Sequence, residues 1–125
     1  MVAKNPYAQY TNINVNTASR EELTLMLYEG SLKFSNQAVV AIEKKDYNKA
    51  HELIMRVEDI IREFQITLDF NYEISNNLNA MYDYMYRLLV DANFNKDIEP
   101  IKEVIGYLRE FRDTWKEAMK IAKLA

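Results

Sequence analysis

Apolar residues recur at intervals of three and four along four separate blocks of this chain, and little between them could build a tight turn. That spacing lines side chains up on one face of an α-helix, whose repeat is about 3.6 residues. Only two glycines and two prolines occur among 125 residues. Sandwiches and barrels depend on many turns, and turns draw on those residue types. The pattern therefore predicts an all-α fold, an antiparallel four-helix up-down-up-down bundle. A longer hairpin of the first two helices, crossed by the others, remains open on the sequence.

The helix ends can be placed from capping chemistry. Residues 1–18 form a polar, Asn-rich arm without helical period, expected to be flexible, and residues 19–125 form the single bundle domain. Ser19-Arg20-Glu21-Glu22 reads as a capping box that starts helix 1, which continues to about Lys44. Its main stripe is Leu23, Met26, Leu27, Gly30, Phe34, Ala38, Ala41 and Ile42. Asp46 caps helix 2, roughly 47–69, with Tyr47, Ala50, Leu53, Ile54, Val57, Ile60, Ile61, Phe64 and Leu68 on its face. Asn71 suits a left-handed backbone in the next connection. Helix 3 spans about 73–93, Asp97 caps helix 4 over about 98–122, and Pro100 falls in a first turn where its missing N–H costs little.

Several chemistries are excluded by residue supply. No cysteine is present, so thiolate catalysis, disulfides and zinc–cysteine sites are ruled out. A di-iron carboxylate bundle needs Glu-x-x-His on two helices, whereas the one histidine, His51, follows Asn48 at that spacing. His51 lies about 100° or more from the centre of the helix 2 apolar face, as a solvent-facing histidine would. Neither a nucleophile elbow nor a phosphate-cradling glycine loop appears, and Gly30 and Gly106 read as close-packing positions within helices. No enzyme, cofactor or metal site is expected. The net charge of -3, with both signs interspersed, argues against nucleic acid. No apolar run approaches the ~20 residues that span a bilayer, and the first residues lack a signal-peptide apolar core. Membrane insertion is not expected.

Apolar supply nevertheless exceeds what one stripe per helix would bury. Helix 1 carries a second stripe, Leu25, Tyr28, Leu32 and Val39, which reads equally as groove, self-association surface or core. Helix 3 carries Tyr86, Val90 and Phe94 off its main face, and helix 2 adds Met55 and Ile66. Such a surplus suits a groove for an amphipathic helix from a partner, because methionine adapts its shape and tyrosine adds area with a hydroxyl. A homodimer formed in the absence of a client is the rival use of the same surface.

The strings themselves carry a resemblance. Asn5-Pro6-Tyr7, Val15 to Ser19 and Glu22 to Gly30 resemble the start of flagellar secretion chaperones of the FliS family. Ala80 to Leu89 with Ala92-Asn93, and Glu103-Val104 through Arg112-Asp113-Thr114-Trp115, continue the likeness in order across essentially the whole chain. Two positions depart: Arg20 stands where the family commonly has proline, and Phe70-Asn71-Tyr72-Glu73 lacks a glycine pair seen in many members. The resemblance implies a cytoplasmic chaperone, not an enzyme, that binds the C-terminal region of flagellin. It would prevent premature polymerisation and present flagellin to the flagellar type III export apparatus. It further implies that the arm bearing Tyr7 covers the binding surface until the client arrives. Tyr7, Tyr10, Met55, Ile66, Tyr86, Val90 and Phe94 are accordingly the expected partner contacts.

Overall fold

The computed structural model describes residues 18–124, and within them the chain forms four helices: α1 Arg20–Glu43, α2 Tyr47–Ile66, α3 Ile74–Asn95 and α4 Ile98–Leu124. The expected arm, with Tyr7 and Tyr10, lies outside the described residues. α1 packs on α2 and α4, and α3 packs on the same two neighbours, which closes the expected up-down-up-down bundle.

Local chemistry explains where the helices begin and turn. The Ser19 N–H donates to Glu22 Oε1 at 3.1 Å and the Glu22 N–H donates to Ser19 Oγ at 3.2 Å, completing the box. The two tight corners share one design. Lys45 and Lys96 take left-handed backbones (φ 60° and 51°), and the aspartate that follows each one caps the next helix. Asp46 Oδ1 accepts from the Lys49 N–H at 3.3 Å, and Asp97 Oδ1 from the Glu99 N–H at 3.0 Å. The third connection is longer than expected. α2 stops at Ile66, three residues before the anticipated end, because the Thr67 hydroxyl donates to the Phe64 carbonyl at 2.9 Å and the Ser75 hydroxyl to the Asp69 carbonyl at 2.6 Å. Asn71 needs no left-handed backbone there; its N–H donates to Asp69 Oδ1 at 3.0 Å. α3 in turn runs two residues past its expected end, to Asn95.

The centre is aliphatic: Ile54, Val57, Ile60, Ile61, Met85, Leu89, Ile101, Val104 and Leu108 have no exposed surface. Burying each such side chain fully is worth about 1.5–3 kcal/mol. Small residues let α1 approach closely, since Gly30, Ser31, Ser35 and Ala38 are all buried. Gly106 behaves otherwise. It is exposed, and a Cβ added there would meet nothing within 4 Å, so close packing does not explain it. Tyr47, expected on the core face of α2, is also exposed, because it begins the helix where α1 has already ended.

Candidate partner-binding surface

Three of the four residues in the second stripe of helix 1 resolve into core, while Leu25 stays partly exposed and lines an open cleft beside Met119 of α4. Tyr28 and Leu32 are buried, and Val39 packs against the core. Tyr28 stacks on Phe64 with ring centroids 4.4 Å apart, Phe64 stacks on Tyr82 at 5.5 Å, and Phe111 meets the Tyr82 ring edge-on at 5.7 Å. The Tyr28 and Tyr82 hydroxyls share a hydrogen bond at 3.0 Å, and burial pushes both phenols above their usual range. These rings form the floor of an open cleft of about 800 Å³ at one end of the bundle. Leu23, Leu68, Tyr72, Ile74 and Leu78 line its walls. Trp115 closes one side, its Nε1–H donating to the Glu21 carbonyl at 3.0 Å. Arg20 and Glu21 also line the cleft, so the chain enters the bundle at its rim.

A second uncovered area lies along α2 and α3. Their antiparallel register is set by the Asn93 amide 2.8 Å from His51 Nδ1, Arg62 with Asp83 at 3.2 Å, and the Gln65 amide donating to Asn79 Oδ1 at 2.9 Å. The same register puts Met55 level with Val90, 42% and 45% exposed, while Phe94, one turn beyond Val90, is 87% exposed. Ile66 is 77% exposed but stands 11 residues from Met55 along α2, about 16 Å. It belongs with the exposed connection bearing Phe70 and Tyr72. Tyr86 differs from the other anticipated contacts. It is half-buried, the Arg62 guanidinium lies over its ring at 3.6 Å, and it hydrogen-bonds to Glu58. The expected groove is therefore two apolar areas separated by a polar band containing Arg62 and Asp83.

Glu58 lies beneath this band, only 5% exposed. Burial holds its carboxyl above the usual carboxylate range, with the adjacent Asp59 acting in the same direction. On the opposite pair, α3 and α4 are tied by Glu103 Oε2, which accepts from the Tyr84 and Tyr107 hydroxyls at 2.7 Å each. The carboxylate pushes Tyr107 up to about 12. His51 is exposed, as expected. Among the described residues no group of His, Cys, Asp and Glu is arranged to hold a metal, and no helix is long and apolar enough to cross a membrane.

The aromatic floor was not legible as a site. Phe64 and Phe111 follow ordinary core periodicity, Tyr28 belongs to the second stripe of helix 1, and only their convergence at one end leaves them facing a cleft. Phe70 and Tyr72 lie where helical spacing carries no information, and two large apolar residues in one connection were the available signal; Ile74, expected on the apolar side of helix 3, begins α3 and is exposed there.

The family model described as Flagellar protein FliS matches residues 3–122. The chain is 48% identical over 120 residues to the flagellar secretion chaperone FliS of Bacillus subtilis (strain 168), covering 96% of this chain and 90% of that protein. It is 31% identical over 108 residues to the flagellar secretion chaperone FliS of Escherichia coli (strain K12), covering 84% and 79% respectively. To the flagellar secretion chaperone FliSB of Pseudomonas aeruginosa it is 30% identical over 121 residues, covering 92% of this chain and 96% of that one.

Proposed function

The chain belongs to the FliS family of flagellar secretion chaperones, and from that membership we propose that it binds the C-terminal region of flagellin in the cytoplasm. Holding that segment prevents premature polymerisation, and the complex delivers flagellin to the flagellar type III export apparatus. The observation that supports this reading is uncovered apolar surface on an otherwise complete core: Met55, Ile66, Val90 and Phe94 stay exposed, and an aromatic-floored cleft stays open at one end. A water-exposed surface of this kind is stabilised by an apolar partner, and an amphipathic helix supplies one. Tyr86 contributes at the seam between α2 and α3, beside Arg62.

We extend the proposal to Tyr7 and Tyr10, which lie outside the described residues: following the family resemblance, they would cover part of this surface in the free protein and leave it when the client arrives. The chain enters the bundle at the cleft rim, and 17 preceding residues span up to about 56 Å when extended, enough to reach either apolar area. Hydrogen exchange of residues 1–17 with and without client tests this part; equal protection in both states refutes displacement.

Calorimetry of the full chain against a peptide from the C-terminus of its cognate flagellin tests the function. Saturable binding with a negative heat-capacity change is expected, the mark of apolar burial. Absence of heat at about 100 μM peptide at two temperatures about 15 °C apart, corresponding to affinity weaker than about -5 kcal/mol, refutes the reading. Light scattering separates self-association: a dimer indifferent to the peptide would identify the apolar surface as a subunit interface.

A further inference from the structure

Among the described residues Glu58 is the one charged side chain buried in the bundle, only 5% exposed. It sits in the seam between α2 and α3, where the Tyr86 hydroxyl donates to it. Arg62, one turn on, pairs with Asp83 at 3.2 Å and lies over the Tyr86 ring, so its charge acts on Glu58 without an ion pair. His51 and Asp59 are the other charged or titratable groups of α2 that act on it. On α3, Asp83 and Arg87 stand either side of Tyr86 and act on each other, and neither α1 nor α4 brings a charge to bear on this carboxyl. The outer edge of the seam is apolar. Met55 lies one turn before Glu58 and Val90 one turn after Tyr86, and both are partly exposed.

A buried carboxyl without an ion pair is more stable as the neutral acid, and the water that still reaches it is what favours its charged form. An apolar segment laid across Met55 and Val90 excludes that water. Resting on the client-holding role proposed above, we infer that client binding across this seam drives a proton from solvent onto the Glu58 carboxylate, so that the hold on the client depends on pH. No other bond forms or breaks. The sign follows from the burial. Excluding water raises the pH at which Glu58 ionises, so the client is held tightest where Glu58 is already protonated in the free chain. Affinity then falls as pH rises from the free midpoint to the bound one, and is level above it. Each unit between the two midpoints is tenfold in affinity. A glutamate that only positions Tyr86 would ionise at the same pH with and without client.

Carbon-13 resonance of the full chain, labelled at its glutamate carboxyls, tests the inference. The Glu58 signal is followed from about pH 4 to about pH 8, with and without the C-terminal peptide of the cognate flagellin. The bound midpoint should lie higher by about half a unit or more, equivalent to about threefold or more in affinity. This arm uses wild type alone, so it decides even where a variant fails to fold. Calorimetry in two buffers of different ionisation heat counts the protons. Wild type should take up a fraction of a proton between the two midpoints, and Glu58→Gln, whose amide has no proton to gain, should lose that uptake and most of the pH dependence. Equal midpoints, proton release, or an uptake that survives in Glu58→Gln and vanishes in His51→Gln overturns the inference and leaves the chaperone reading intact. No binding at any pH removes the flagellin reading, and this inference with it.

Discussion

Removing one hydroxyl of the Tyr28–Tyr82 pair should cost more than removing both. The two oxygens share a 3.0 Å hydrogen bond between side chains that are 7% and 3% exposed. In Tyr82→Phe the Tyr28 hydroxyl keeps its burial and loses its partner, and Tyr28→Phe strands Tyr82 in the same way. A buried polar group left unsatisfied costs about 1–3 kcal/mol, whereas exchanging both partners for apolar groups of the same shape is nearly neutral. The rings stay in every variant, so the stacking on Phe64 at 4.4 Å and 5.5 Å is retained. Each single variant should lose about 1–3 kcal/mol and the double variant less than about 1 kcal/mol, so the two single losses together exceed the double loss by about 1–6 kcal/mol. Urea denaturation followed by circular dichroism measures all four proteins. Single effects that add to the double within about 0.5 kcal/mol would show that the two hydroxyls do not depend on each other, refuting the sealed floor of the cleft.

Gly106→Ala should stabilise the chain by about 0.5–1 kcal/mol and raise Tm by about 2–5 °C, because the site is helical, exposed and empty around an added Cβ; a lower Tm contradicts this. Lys96→Gly should stabilise by about 0.5–1 kcal/mol by relieving the left-handed backbone at φ 51°. Lys96→Ala retains that backbone cost, so a glycine variant no more stable than the alanine one counts against the strain. Glu58→Gln tests the buried carboxyl through pH. Its pKa is raised in the fold, so the wild type is favoured while the group is protonated, below the ordinary value of 4.5, and loses that advantage as pH rises through the folded value. The variant should gain on wild type between about pH 4 and pH 7, and a flat difference across that range speaks against burial of the charge.

Much of the architecture was legible because capping and periodicity act locally. Ser19, Asp46 and Asp97 mark their helix starts by chemistry contained within four residues. The longer connection after α2 was misread because it depends on Thr67, Asp69 and Ser75 acting together across nine residues. Surplus apolar surface was legible in amount but less so in place. Val90 and Phe94 are exposed one turn apart on α3, as their spacing implies. Met55 is exposed at the same level of α2, which no spacing reveals, and Ile66 lies apart at the other end. Tyr28 and Leu32 look like a second surface in one dimension, yet α1 has neighbours on two sides and buries both of them, leaving its first turns, with Leu23 and Leu25, partly open. Tyr86 illustrates the remaining gap: no helical pattern reveals that Arg62, from another helix, will cover its ring.

Methyl-resolved nuclear magnetic resonance during titration with the flagellin C-terminal peptide would observe the holding surface directly. The Met55, Ile66 and Val90 methyl signals should shift and saturate together, while those of Ile54 and Leu89, which have no exposed surface, stay in place. Saturable binding that leaves the exposed methyls unmoved would contradict the account, because the client would then be held somewhere other than the apolar surface this bundle leaves uncovered.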